Sequence, residues 1–187
     1  IEEHLADSGV SHTVIAPVFF MDNWLGPWFL PAIKEGNVAM AMAGNRMLQQ
    51  IDVEDIGNFA CLVLEHPDDF RGQRIDIASD ELTGEEVAKL IGRRAGQNIG
   101  YYDIPLETLR SQSHDFAMMF EWFDEIGYAV DTEALREDYP EVGWTYFDEW
   151  LNRHDWNTLL AAEPLYTPED RIENLEDLED LEDEQYT

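Results

Sequence analysis

A chain of 187 residues with 44% hydrophobic and 12% aromatic content is long enough for one domain with its own core, and is not disordered as a whole. Its 41 acids against 11 lysines and arginines give a formal net charge of -30, which excludes nucleic acid as a partner, because neutralising phosphates takes clustered cations. A single cysteine, Cys61, excludes an intramolecular disulfide, and no run approaches the roughly 18 apolar residues of a membrane span, so no membrane partner is expected.

Eleven of the acids and one cation, Arg171, fall between Glu163 and Thr187, so the rest of the chain is acidic too. Lys34 and Lys89 are the only lysines. Such a surface repels itself in dilute buffer and is tolerable where molar salt shortens the screening length to about 3 Å. We therefore expect a cytoplasmic protein of a salt-adapted cell. His4, His12, His66, His114 and His154 show no zinc-ligand spacing, and no metal is expected.

Along the chain, Ile1 and Leu5 followed by Gly9 read as the end of a helix, so the chain, which lacks an initial methionine, is expected to be the C-terminal portion of a longer protein. His12 to Ala16 is a β-branched run closed by Pro17, as in a buried strand entering a loop. That loop, Pro17 to Pro31, is crowded with Phe19, Phe20, Met21, Trp24, Leu25, Trp28, Phe29 and Leu30, and needs a second layer or a ligand to cover it. Val38 to Ala43 and Met47 to Ile51 suggest two strands joined through Gly44-Asn45. Asp52 and Asp55 then open a helix carrying Ile56, Phe59, Ala60, Val63 and Leu64, which ends at His66-Pro67.

Arg74 to Ala78 alternates like a strand, and Thr83 with Glu86 caps a helix that Gly96 stops. Tyr101 to Pro105 is a further strand. A helix is expected from Leu106 to about Ile126, with Phe116, Met119, Phe120 and Phe123 on one face. Gly127-Tyr128 breaks it, and short helices follow at Thr132 to Arg136 and from Thr145 to Leu151. Beyond Pro164 a three-residue Leu-acid-acid repeat implies a solvated tail. Strands alternating with helices indicate an α/β fold with a mostly parallel sheet.

Four segments, in order, resemble one family. Thr13-Val14-Ile15-Ala16-Pro17-Val18-Phe19-Phe20-Met21-Asp22-Asn23 is similar to the strand and loop of NmrA-like proteins, atypical short-chain dehydrogenases/reductases. So are Ile51-Asp52-Val53-Glu54-Asp55-Ile56-Gly57, the run Gly72 to Ala78 with Leu82-Thr83-Gly84-Glu85-Glu86, and Gly127-Tyr128 through Tyr139-Pro140 to Glu149-Trp150-Leu151. The resemblance covers about residues 1 to 155. Ala16 stands where relatives often carry Arg.

The resemblance implies the C-terminal part of a Rossmann-like NAD(P)-binding fold: residues 1–105 as the latter half of that domain with inserted substrate-side segments, 106–160 as a helical substrate-binding region, and 161–187 as an acidic disordered tail. It implies NADP or NAD as cofactor, with Pro17, Val18, Phe19 and Phe20 beside the nicotinamide and Met21, Asn23 and Trp24 facing a substrate. Two functions remain open: an NAD(P)H-dependent reductase of a quinone or carbonyl-type small molecule, or a non-catalytic NAD(P) redox sensor acting through a regulatory protein partner. The chain has no G-x-x-G-x-x-G turn to receive a pyrophosphate and no counterpart of the family's active-site Lys, so by itself it is expected to be inactive.

Plainer readings stand beside these. The aromatic loop could simply pack beneath the C-terminal helices. Asp52 and Asp55 are better explained as capping residues than as an acid-base pair. His114 and Asp115, adjacent on a helix, do not face each other. Cys61 reads as a small buried hydrophobe.

Overall fold

The computed structural model describes residues 2–162. Helix α1 (Glu2–Asp7) stops before Gly9, whose φ of +72° is a conformation that glycine enters without steric cost. Strand β1 (Val14–Pro17) follows and pairs in parallel with β5 (Arg74–Ile77), from Val14 opposite Arg74 to Pro17 opposite Ile77. Pro17 ends the strand, and Val18 N–H returns to the Ile77 carbonyl at 3.2 Å. Next come β2 (Phe19–Phe20), a 3-10 turn over Met21–Leu25, and α2 (Leu30–Lys34).

Strand β3 (Asn37–Met40) and β4 (Met47–Ile51) do not form the hairpin expected from Gly44-Asn45. A two-residue hairpin turn requires positive φ, and neither residue has it. Instead β3 pairs in parallel with β7 (Gly100–Asp103), while β4 lies between β2, parallel, and β6 (Asp80–Thr83), antiparallel. Strand β6 has no alternating pattern of its own in the sequence.

Gly44 serves another purpose. The Tyr101 ring lies between Gly44 and Gly84, where an added Cβ would stand 2.7 Å and 2.2 Å from ring carbons, and the Tyr101 hydroxyl donates to the Met42 carbonyl at 2.5 Å. Gly84 opens α5 (Gly84–Ala95), which Thr83 and Glu86 cap reciprocally and Gly96, at φ +62°, closes. Burial holds the Tyr101 phenol well above its ordinary range, so it keeps the proton it donates.

Asp52 caps α3 (Val53–Glu65), accepting Glu54 N–H at 3.1 Å. Asp55 does not act as a cap: it is buried and bonded to Ser79 and Thr145, far along the chain. Cys61 is exposed, because Phe59 and Val63 take the buried side of α3 and Cys61 lies between them on the outer side. Helix α4 (Pro67–Phe70) begins on Pro67.

The helix expected over 106–126 is two, α6 (Leu106–Gln112) and α7 (His114–Glu125). Ser113 divides them with extended backbone and its hydroxyl accepts Phe116 N–H at 3.3 Å. Helices α8 (Thr132–Asp138), α9 (Phe147–Asn152) and α10 (Trp156–Ala161) complete the described chain. The expected acidic tail lies outside the described residues, apart from Ala161 and Ala162.

The architecture is thus mixed α/β, with three parallel strand pairings and one antiparallel. Two apolar clusters hold it. One gathers Met21, Trp24, Ile33, Ile91, Phe120, Phe147 and Trp150; the other gathers Val18, Ile51, Phe59, Ile77 and Trp144. Both draw on residues from either side of position 105.

Candidate functional site

Where β1 ends, the chain turns outward at Pro17 and runs through β2 into the 3-10 turn. Successive residues of a strand face opposite sides, which separates the two phenylalanines: Phe19 is buried, whereas Phe20 is 37% exposed. Phe19 meets Trp24, Phe29 and Phe123 with ring centroids 5.3, 5.6 and 6.4 Å away. Trp24 and Met21 are fully buried. The Trp24 indole N–H donates to the Gln50 side-chain oxygen at 2.6 Å, and its ring lies 4.9 Å from Phe29.

Between this loop and α7 lies a cavity of about 540 Å3. Pro17, Val18, Phe19, Phe20, Asp22 and Asn23 form one wall. Trp28 and Phe29 close one end, and Phe116, Met119, Phe123 and Tyr128 face the loop from α7 and just beyond it. Of the residues the sequence assigns to a site, the structure brings Pro17, Val18, Phe19, Phe20 and Asn23 together on this wall. Met21 and Trp24 turn away from it into the core. A second cavity, of about 330 Å3, shares Pro17, Val18 and Tyr128 with the first and reaches Arg74 and Asp76 on β5.

Sequence reasoning missed the opposite wall as part of a site. Phe116, Met119 and Phe123 are legible as one face of a helix, but what they face is set by folding. Burial raises the Tyr128 phenol above its ordinary range, in which it is already uncharged near neutral pH, and as a neutral hydroxyl it can donate or accept a hydrogen bond. Asp22 is the lining carboxylate; one of its oxygens is shut off from solvent with no hydrogen-bond partner among the described residues.

The Asp52 and Asp55 carboxylates lie elsewhere and are occupied. Arg153 bonds Asp52 at 2.5 Å. Asp55 accepts Ser79 Oγ–H at 2.5 Å, Thr145 N–H at 2.8 Å and Thr145 Oγ1–H at 2.9 Å. Burial raises its pKa, these three bonds pull the other way, and the nearby Asp52 charge adds to the rise. His114 and Asp115 are both exposed. Among the described residues no cluster of three or more His, Cys, Asp or Glu side chains could hold a metal ion, and no helix is long and apolar enough to cross a membrane.

The cavity's flat, largely aromatic walls suit a planar ring system. Among the described residues the walls include no glycine-rich helix start, whose successive N–H groups a pyrophosphate needs. The one described helix that begins on glycine is α5, and there Tyr101 occupies the space that Gly84 leaves.

A model of the NmrA-like family matches residues 1–151. Among curated proteins, agroclavine dehydrogenase of Claviceps fusiformis is 27% identical over 142 residues, which is 72% of this chain and 49% of that protein. In fold the chain is similar to the NADPH-dependent quinone oxidoreductase QOR2 of Escherichia coli, solved with NADPH, at a TM-score of 0.64 and 20% identity over 81% of this chain and 56% of that one. It is also similar to NmrA, a negative transcriptional regulator solved with NADP, at 0.57 and 17% identity over 83% of this chain and 59% of that one. The chain spans between 34% and 49% of the length of four curated relatives it matches.

Proposed function

Because the chain belongs to the NmrA-like family, to which residues 1–151 match, we propose that it is the C-terminal part of an NAD(P)H-dependent reductase of a quinone or carbonyl-type small molecule. The observation that carries this reading is the aromatic cavity at the carboxyl end of β1, the end of a strand at which α/β folds bind ligands. Pro17, Val18, Phe19 and Phe20, which line the cavity, would flank the nicotinamide, and Asn23 would face the substrate. Met21 and Trp24 serve the substrate side from behind, by fixing the loop. NAD(P)H, when bound, would supply a hydride; the walls would orient the acceptor's flat face, and Tyr128 would offer its hydroxyl hydrogen to an acceptor oxygen.

A second reading, an NAD(P) redox sensor that acts through a protein partner without turnover, is supported by the likeness in fold to NmrA, a negative transcriptional regulator solved with NADP. The acid-rich, lysine-poor composition supports the cytoplasm of a salt-adapted cell as its setting.

Calorimetric titration of menadione, a small quinone, into the chain in molar KCl tests the cavity. We expect a dissociation constant on the order of 10 to 1000 μM, weakened at least about fivefold by Phe20→Ala. Menadione that binds equally well to Phe20→Ala would remove this cavity as the quinone site.

A further inference from the structure

Resting on the cavity being the substrate pocket, we infer that its occupant carries a positive charge beside its reducible aromatic group, and that Asp22 is the counter-charge. Among the described residues the lining has no Lys, Arg or His, and no described cation is ion-paired with Asp22. One Asp22 oxygen is buried and without a hydrogen-bond partner among the described residues. Asp22 as a whole is half-buried, so its carboxylate is partly shielded from water, and on the cavity side part of its field runs through apolar side chains. A cation a few ångströms away therefore gains more from it than from a surface carboxylate, and need not touch the buried oxygen to do so.

The walls add to this preference. Phe20, Phe116 and Phe123 present rings, and ring faces attract cations. The chain's net charge of -30 draws cations toward the surface at large. That general attraction is a long-range effect which salt removes, whereas the Asp22 contribution acts at close range beside apolar walls and is screened less by salt. The occupant so defined is a flat aromatic carbonyl or quinone-type compound bearing an ammonium, iminium or ring-nitrogen cation. A carboxylated aromatic would meet an unneutralised acid and be rejected.

The test compares two planar probes of nearly equal shape in 1 M KCl: N-methylacridinium, and acridine at a pH where its ring nitrogen is unprotonated. The wild-type chain is expected to bind the cation about tenfold more tightly. Asp22→Asn should abolish that preference and leave acridine binding unchanged, while Asp115→Asn, which removes an exposed carboxylate on α7, should keep it. Equal affinity of the wild type for both probes overturns the inference but leaves the cavity as a binding site. A preference that survives Asp22→Asn overturns it too, by placing the counter-charge elsewhere. If neither probe binds the wild type, the cavity reading itself fails and the inference falls with it. Should Asp22→Asn not fold, Asp22→Ser replaces it, and the wild-type comparison still decides.

Discussion

Thr145 gives Asp55 both its backbone N–H, at 2.8 Å, and its hydroxyl, at 2.9 Å, so the first turn of α3 is bolted to the segment that enters α9 across 90 residues of chain. Ser79 adds a third bond from the end of β5, and Arg153 Nη2 supports the Thr145 hydroxyl at 3.0 Å. Asp55→Ala strands three donors in the interior and should cost about 2 to 5 kcal/mol, read from denaturant melts. A cost near 1 kcal/mol would mean that the bolt carries little.

The same carboxyl gives a pH dependence with a definite sign. Its folded pKa is raised above the ordinary 3.8, chiefly by burial, so the folded state holds this proton more tightly than the unfolded chain does. Its contribution to stability is fully present below the ordinary value and is lost as pH rises through the raised one. Asp55→Asn cannot titrate. Its melting temperature relative to wild type should therefore climb as pH rises through that window, and a constant difference would contradict the shift.

Gly84→Ala tests the Tyr101 clamp. A methyl 2.2 Å from the ring has no room, because Gly44 holds the ring's other side. Overpacking of this kind costs about 1 to 3 kcal/mol. Helix propensity alone predicts the opposite, a gain of up to about 1 kcal/mol, so the sign of the change in melting temperature decides between them.

Much of this was legible locally, and the failures share a cause. Thr83 with Glu86, Asp52 and Gly96 act on backbone within four residues of themselves, and their roles read directly from the sequence. Gly44-Asn45 is an equally local signal but misleads, since β3 finds its partner β7 some sixty residues on and Gly44 is reserved for Tyr101. Asp55 looks like a second cap because Ser79 and Thr145 are invisible from its neighbourhood. One wall of the cavity followed from the family resemblance of Pro17 to Asn23, and the other appeared in the sequence as an apolar helical face without a partner. Within the loop, only the strand's alternation and the 3-10 turn reveal that Phe20 faces out while Trp24 faces in.

Salt should stabilise the fold. The exposed acids repel over about 10 Å at 0.1 M salt and only about 3 Å at 1 M. Melting temperature should rise steeply from dilute buffer to molar KCl. A flat profile would contradict adaptation to high salt.

The 187-residue chain should bind NADPH weakly, with a dissociation constant above roughly 100 μM, because it carries no glycine-rich turn for the pyrophosphate. Calorimetry giving a low micromolar value would show that another part of the chain receives the phosphates.

The loop from Pro17 to Trp24 as a ligand wall is tested most directly by Phe20→Ala and Trp24→Ala, each measured for melting temperature and for menadione affinity. Phe20 is part-exposed on the cavity wall and Trp24 is fully buried behind it, bonded to Gln50. The account predicts that Phe20→Ala loses affinity at least about fivefold with a stability cost under about 1.5 kcal/mol, whereas Trp24→Ala costs the full 3 to 5 kcal/mol or so of a core aromatic. Phe20→Ala with unchanged affinity and a core-sized loss of stability would contradict it, and leave the loop as packing alone.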